Sequence, residues 1–231
     1  IAQCLVGSEM CIRDSLKNNM NVFFVSGIDT GIGKTVATGV FAKKLAGKGA
    51  NPITQKLIQT GCEGISEDIL EHRKVMGISL TPEDRDFTTC PYVLKYPASP
   101  HLSCAMEGVK IDYSKIDACT KILSEKYSHV IIEGAGGLMV PLEENYLTAD
   151  FISDRKFPLI LVVSSRLGSL NHALLNFEVC KLRGISVCGI IYNTFPKAPV
   201  EIEDSTRDYL KKYLSKHLPD AFFMEIGEQK F

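Results

Sequence analysis

The sequence predicts an α/β fold: a single doubly wound, mostly parallel sheet with helices on both faces. Two observations carry this. From Met20 onward, short apolar runs alternate with longer segments of helical pattern. Strands that are apolar on both faces and alternate with helices belong to parallel sheets covered on both sides. The 231 residues suffice to bury about 70% of the unfolded surface without disulfide or metal staples. No repeat, low-complexity tract or linker divides the chain.

The elements follow in order. Residues 22–26 read as the first strand, and 34–48 as a helix with Gly49 near its end. Residues 52–58 read as a second strand and 67–76 as a short helix. Helical patterns at 102–107 and 113–127 precede a β-branched strand at 129–132. Residues 159–164 form a fully apolar strand, followed by a helix over 170–183. A strand at 187–192, a helix at 202–216 and a last strand at 221–225 complete the series. Residues 1–19 look foreign to this pattern: they lack the basic start and apolar core of a secretory signal. The stretch 4–14 resembles a translated sequencing adaptor. A non-native or disordered leader is therefore expected there, with Met20 as the natural start.

Composition excludes several classes. With 26 basic and 27 acidic residues, the net charge is −1, which argues against a basic stripe for nucleic acid. No run of about 18 apolar residues suggests a transmembrane helix. The 8 cysteines never form a CxxC pair, and several sit in apolar runs, so reduced thiols in a cytoplasmic protein are expected.

The strongest local signal lies at 25–35, where Gly27, Gly31, Gly33, Lys34 and Thr35 fall between an apolar strand and a helix. Glycines let backbone N–H groups curl around an anion, and a helix start adds its positive dipole end. The ammonium of Lys34 can bridge β- and γ-phosphates, and the Thr35 hydroxyl can ligate Mg²⁺. The usual spacing G-x-x-x-x-G-K-[ST] is missed by one residue, because Gly27 lies six positions before Gly33. A Gly-rich strand–helix turn is the plainer alternative.

A phosphoryl-transfer site needs further oxygen ligands. Glu133 ends the strand at 129–132, where a carboxylate points into the ligand crevice of a doubly wound sheet; a solvated Glu beside a glycine turn is the alternative. Asp68 is the second candidate, although Ser66 or Asp68 at a helix start can simply be a cap. Lys56 and Thr60 stand where the second strand exits. Lys56 would add positive charge near the γ-phosphate, and Thr60 could hydrogen-bond a small polar substrate; an exposed surface lysine is the alternative.

Five stretches taken together, at 27–35, 56–61, 99–101, 133–137 and 167–172, resemble the dethiobiotin synthetase family, whose phosphate loop has the longer glycine spacing. The resemblance runs from Met20 to about Asn193 and implies one P-loop NTPase-like synthetase domain over 20–231. It implies ATP and Mg²⁺ as cofactors. The implied reaction carboxylates 7,8-diaminononanoate with CO₂, phosphorylates the carbamate and closes a cyclic urea, giving dethiobiotin, ADP and phosphate in biotin biosynthesis. Carried over residue by residue, Gly31, Ile32, Gly33, Lys34, Thr35 and Val36 would wrap the nucleotide phosphates. Thr35, Asp68 and Glu133 would surround Mg²⁺, and Lys56 would be catalytic together with Lys34. Glu133, Gly134, Ala135 and Gly136 would also touch nucleotide, with Asn193 and Thr194 beside the adenine. Thr60 would contact substrate, and Gly168, Ser169 and Asn171 would receive its tail carboxylate across a homodimer interface. His101 and His172 are expected to be structural. Thr60 stands where the family often has serine. Other members continue beyond the point where this chain ends, which predicts a less enclosed base and a chain that is a fragment.

Rivals share the fold. A switch-type P-loop ATPase, acting as a positioning or binding module, usually carries an extra lysine early in the loop, and residues 27–29 have none. A corrinoid amide synthetase would need a glutaminase domain, for which there is no length. A small-molecule kinase would leave phosphate on its acceptor. Partners expected are therefore small molecules and a second copy of the chain, not nucleic acid or membrane.

Overall fold

The computed structural model of the chain describes residues 21–229; the expected leader at 1–19 and the expected start at Met20 lie outside the described residues. In chain order the elements begin with β1 (Val22–Gly27), α1 (Lys34–Gly47), β2 (Pro52–Lys56), β3 (Gln59–Thr60), α2 (Glu67–Met76) and α3 (Pro82–Arg85). They continue with β4 (Val93–Leu94), α4 (Pro100–Glu107), α5 (Tyr113–Lys126), β5 (His129–Gly137), β6 (Pro141–Glu143) and β7 (Tyr146–Leu147). The last are α6 (Thr148–Arg155), β8 (Leu159–Ser164), α7 (Ser169–Leu182), β9 (Val187–Asn193), α8 (Val200–His217) and β10 (Phe222–Ile226).

Six strands pair in parallel in the order β10-β9-β8-β1-β5-β2. β1 is central, between β5 and β8, and the chain lays its later strands on the opposite side from β2. Ligands of such sheets bind outside the carboxyl ends of the strands, where the order reverses. β2 and β8 are buried along their whole length, as strands covered on both faces must be. Phe24, Val130, Ile131, Leu161 and Val163 are wholly buried in the core. α1 and α2 pack on each other over β2, and α7 packs against β8 and α8.

The predicted elements are all present, with three differences. The second strand stops at Lys56, not Ile58; β3 and β4 then pair separately as a small parallel ribbon. β5 extends five residues past Ile132, so Glu133 and the glycines after it lie in a strand. Gly137 pairs opposite Gly27 there, and a Cβ on Gly137 would lie 3.1 Å from the Gly27 carbonyl. The pattern also missed α3, the β6–β7 hairpin and α6. The last is short, and its apolar face is only Ala149, Phe151 and Ile152. The six described cysteines are all free; burial pushes the Cys90, Cys180 and Cys188 thiols up to about 12. Cys4 and Cys11 lie outside the described residues.

One buried network fixes α2 on the sheet. Arg73 donates from Nε and Nη2 to Asp84 at 2.8 and 2.7 Å, and from Nη1 to Thr54 of β2 at 2.7 Å. Thr89 and the Thr81 N–H also donate to Asp84, each at 2.8 Å. Burial raises the Asp84 carboxyl, but the guanidinium outweighs it and holds it below its ordinary 3.8. A depressed carboxyl contributes stability that is complete above its unfolded value and disappears as pH falls through its folded value. Asp84→Ala, which leaves Arg73 buried and unpaired, is predicted to cost about 3–5 kcal/mol at neutral pH. Urea unfolding should show that gap narrowing as pH falls below 3.8.

Candidate active site

The phosphate loop grows out of β1. Ile28 still donates its N–H to Val162 of β8 at 3.1 Å, and the chain then turns over Asp29 to Gly33 into α1. Gly33 caps α1 with φ at 88°, a conformation that an L side chain resists. There is also no space: a Cβ at Gly33 would lie 2.4 Å from Asn193 Nδ2. Lys34 opens the helix and reaches back to donate to the Asp29 carbonyl at 2.8 Å. Burial pushes its ammonium down to about 8. Asp29 forms an ion pair with Arg166, from the turn before α7. The Thr30 N–H and that guanidinium hold the Asp29 carboxyl below its usual range.

Sheet register supplies the next pair. Lys56 ends β2 directly opposite Glu133 on β5, and neighbours in register present their side chains on one face. Lys56 Nζ donates to Glu133 Oε1 at 3.0 Å and to the Gly134 carbonyl at 3.1 Å, and it ion-pairs with Asp68. Lys56 is 4% exposed and Glu133 1%. Burial alone would lower Lys56, but the charges of Glu133 and then Asp68 hold it above the usual lysine value. Burial likewise opposes the charge on Glu133, and Lys56 with His72 overcomes it, holding the carboxyl at about 2.

Asp68 arrives on α2, and it is not the cap. Ser66 is: its hydroxyl accepts from the Ile69 N–H at 3.2 Å and donates to Gln59 Oε1 at 2.6 Å. Gln59 also accepts from the Asp68 N–H at 3.3 Å. The Asp68 side chain is thereby left to face the cleft.

Three oxygens converge. Thr35 Oγ1 lies 3.0 Å from Asp68 Oδ1 and 3.1 Å from Glu133 Oε1. One hydroxyl proton cannot serve both carboxylates at once. Octahedral Mg²⁺ with ligands at 2.0–2.1 Å sets adjacent oxygens about 2.9–3.0 Å apart, so the observed spacing fits such a cation. The set is small, two carboxylates and a hydroxyl. No group of three or more His, Cys, Asp or Glu suited to a metal occurs among the described residues. Mg²⁺ commonly takes one or two carboxylates and completes its shell with phosphates and water.

These groups line a cleft of about 460 Å³. Gly31, Gly33, Lys34, Thr35, Val36, Lys56, Thr60, Asp68, Glu133, Ala135 and Gly136 all border it; Ile32 and Gly134 lie behind. Asn193 and Thr194 stand at the end of β9, where they also hold structural bonds. Asn193 donates to the Ile32 carbonyl at 2.9 Å and accepts from the Phe195 N–H at 3.0 Å, so it pins the phosphate loop. Thr194 donates its N–H to Ile226 at 2.9 Å. Ser169 is fully buried, its hydroxyl 2.7 Å from that of Ser164 and its N–H donated to Arg166 at 3.1 Å. It therefore shapes the turn and offers neither group outward. Gly168, with φ at 89°, caps α7, and Asn171 lies in its first turn. His101 bonds only locally, with Nδ1 3.0 Å from Ser99 Oγ. Sequence reasoning passed over His72 and Gln59; the only signal for His72 was its place one helical turn after Asp68.

A family model described as an AAA domain matches residues 21–218. The chain is 51% identical over 202 residues to the "ATP-dependent dethiobiotin synthetase BioD 2" of Pasteurella multocida (strain Pm70), covering 87% of this chain and 95% of the relative.

The chain belongs to the ATP-dependent dethiobiotin synthetase family.

A protein of the same name from Haemophilus ducreyi (strain 35000HP / ATCC 700724) is 49% identical over 90% of this chain and 99% of its own length. The "ATP-dependent dethiobiotin synthetase BioD" of Chlorobaculum tepidum is 50% identical over 85% of this chain and 82% of its own. A solved ParA family ATPase from Chlorobium tepidum TLS shares the fold, with TM-score 0.51 and 15% identity over 91% of this chain and 85% of that one. As a family member, the chain is an ATP-dependent cyclo-ligase.

The crowding at Gly33 generates a prediction. Gly33→Ala forces a strained φ and displaces Asn193, at a cost of about 1–3 kcal/mol. ADP affinity measured by calorimetry should fall about 5- to 150-fold, with the far-UV dichroism spectrum unchanged.

Proposed function

We propose that the enzyme makes dethiobiotin in the cytoplasm by ring closure on 7,8-diaminononanoate, using the cleft between the phosphate loop and the β2–β5 edge. The observation that carries this reading is the meeting of Lys34, Lys56, Thr35, Asp68 and Glu133 in one cleft. One amine of the substrate adds to CO₂ and loses a proton, giving a carbamate. A carbamate oxygen takes the γ-phosphoryl group as ADP leaves. The second amine attacks the activated carbonyl carbon, and phosphate departs with closure of the urea.

Each residue has a definite part. The Gly31–Gly33 backbone and the start of α1 receive the phosphates. Lys34 gives up its bond to the Asp29 carbonyl for the β- and γ-phosphate oxygens, and their charge restores a proton that burial alone would loosen. Lys56 keeps its proton at neutral pH and sets positive charge where the carbamate and the transferring group meet. Transfer of this kind depends on positioning and charge stabilisation. Thr35, Asp68 and Glu133 hold Mg²⁺, which when bound neutralises charge on the phosphate oxygens. Thr60 borders the cleft as a hydroxyl for the diamine. Asn193 acts on nucleotide binding by bracing the loop, and Thr194 stands at its side.

The same reading makes the enzyme a homodimer, with the substrate's carboxylate received across the interface at the start of α7, near Gly168 and Asn171. In support, this helix start follows a left-handed glycine, and the adjacent Leu167 is 80% exposed, an apolar side chain suited to a partner surface.

Protein mixed with diaminononanoate, bicarbonate, Mg²⁺ and ATP should yield dethiobiotin by mass spectrometry. Full ADP release in degassed, bicarbonate-free buffer would contradict the carbamate route. Lys56→Ala should lower kcat about 10²–10³-fold without loss of fold; near-normal turnover would remove its assigned role.

A further inference from the structure

His72 is fully buried, and its Nε2 lies 2.7 Å from Glu133 Oε2. Nothing in the proposed reaction uses it, yet it is built into the site. Asp68 and His72 are four residues apart on α2, hence on one face of that helix. One helix face therefore presents a carboxylate to the cleft and an imidazole to the back of the second carboxylate. The Arg73 network fixes the depth at which α2 sits against β2.

The two oxygens of Glu133 have separate duties. Oε1 meets Lys56 and Thr35 at 3.0 and 3.1 Å; Oε2 meets only His72 among the described residues. The terminal torsion of a glutamate is broad, so Lys56 and Thr35 alone leave the carboxylate plane free to turn about Oε1. His72 removes that freedom. The other ring nitrogen, Nδ1, is buried without a partner. Of the two ring nitrogens, then, the one that is partnered is the one on Glu133.

We infer that His72 is a positioning residue that locks the Glu133 carboxylate plane and thereby sets the enzyme's affinity for its divalent cation. The inference rests on the reading of Thr35, Asp68 and Glu133 as the cation-binding set. His72 touches neither the reacting atoms nor the cation. Such outer partners of ligating groups are worth about 10–100-fold in metal affinity.

The test is Mn²⁺ binding to the full chain in the presence of ADP, followed by electron paramagnetic resonance and calorimetry. His72→Leu removes the donor, His72→Asn keeps an amide too short to reach Oε2, and His72→Gln places an amide N–H near the Nε2 position. Mn²⁺ affinity should fall about 10–100-fold in the Leu and Asn variants and return close to the parent value in the Gln variant. In turnover assays the KM for Mg²⁺ should rise while kcat at saturating Mg²⁺ changes little. A residue that only fills space would lower the melting temperature and leave Mn²⁺ affinity equal in the folded Gln and Asn variants; that equality overturns the inference. Should the Leu variant fail to fold, the Gln–Asn comparison decides alone. Asp68→Asn separates the two levels. If it leaves Mn²⁺ affinity unchanged, the cation reading itself fails. If it lowers the affinity while the His72→Asn variant and any folded His72→Leu variant match the parent, only the role of His72 fails.

Discussion

The buried pairing of Lys56 with Glu133 is the constraint around which the site is arranged. An isolated charge at either position would cost several kcal/mol, so each residue offsets much of the cost of burying the other. Parallel register puts them opposite one another on β2 and β5, which makes the ion pair a consequence of strand alignment. A one-residue slip would turn every side chain of β2 to the other face and leave two unpaired buried charges. The same pair calls in the rest. Asp68 and Thr35 converge on it from two helix starts, and His72 closes the back of Glu133. The edge of the sheet is thus held in register by groups that line the cleft.

The fold was readable because its signals are local. A run of apolar residues ending in glycines, followed by Lys34 and Thr35, states its own geometry, and the strands at 159–164 and 187–192 need no distant information. Glu133 was readable for the same reason, as a carboxylate closing an apolar run. Its contacts were not. Lys56 and Glu133 are 77 positions apart, and the register that joins them is set by the packing of the whole sheet. Asp68 shows the same limit: capping and ligation give one sequence pattern, and only the contacts of Ser66 with Ile69 and Gln59 show that Asp68 is not the cap.

Burial gives the side chains at the strand end and the turn before α7 structural contacts that their letters do not announce. Asn193 stands at the strand end expected of an adenine contact, and its amide also bonds the Ile32 carbonyl and the Phe195 N–H. A strand-end Asn has the same letter whether it reads a base or braces a loop. The left-handed Gly33 beneath it is the complementary half of that brace, because only a residue without Cβ leaves room for Nδ2. Ser169 likewise turns inward to Ser164, so the turn before α7 is shaped by side chains and left with backbone to offer.

The likeness to a ParA family ATPase shows how little the fold itself decides. At 15% identity and TM-score 0.51 that likeness extends no further than architecture; function lives in the groups grafted onto strand ends. A switch ATPase must couple its nucleotide to a moving surface. Here the residues beside the phosphate loop are committed to a fixed, charge-balanced cluster: Lys56 bonds Gly134 and Glu133, Glu133 bonds His72, and Arg73 anchors the helix that carries Asp68. Rigid positioning of this kind suits a reaction that must hold an acid phosphate anhydride long enough for a neighbouring amine to reach it. Water reaching that anhydride would waste the nucleotide. The near-complete burial of Lys56 and Glu133 suits the proposed mechanism, in which little water should reach the base of the cleft where the amine must win.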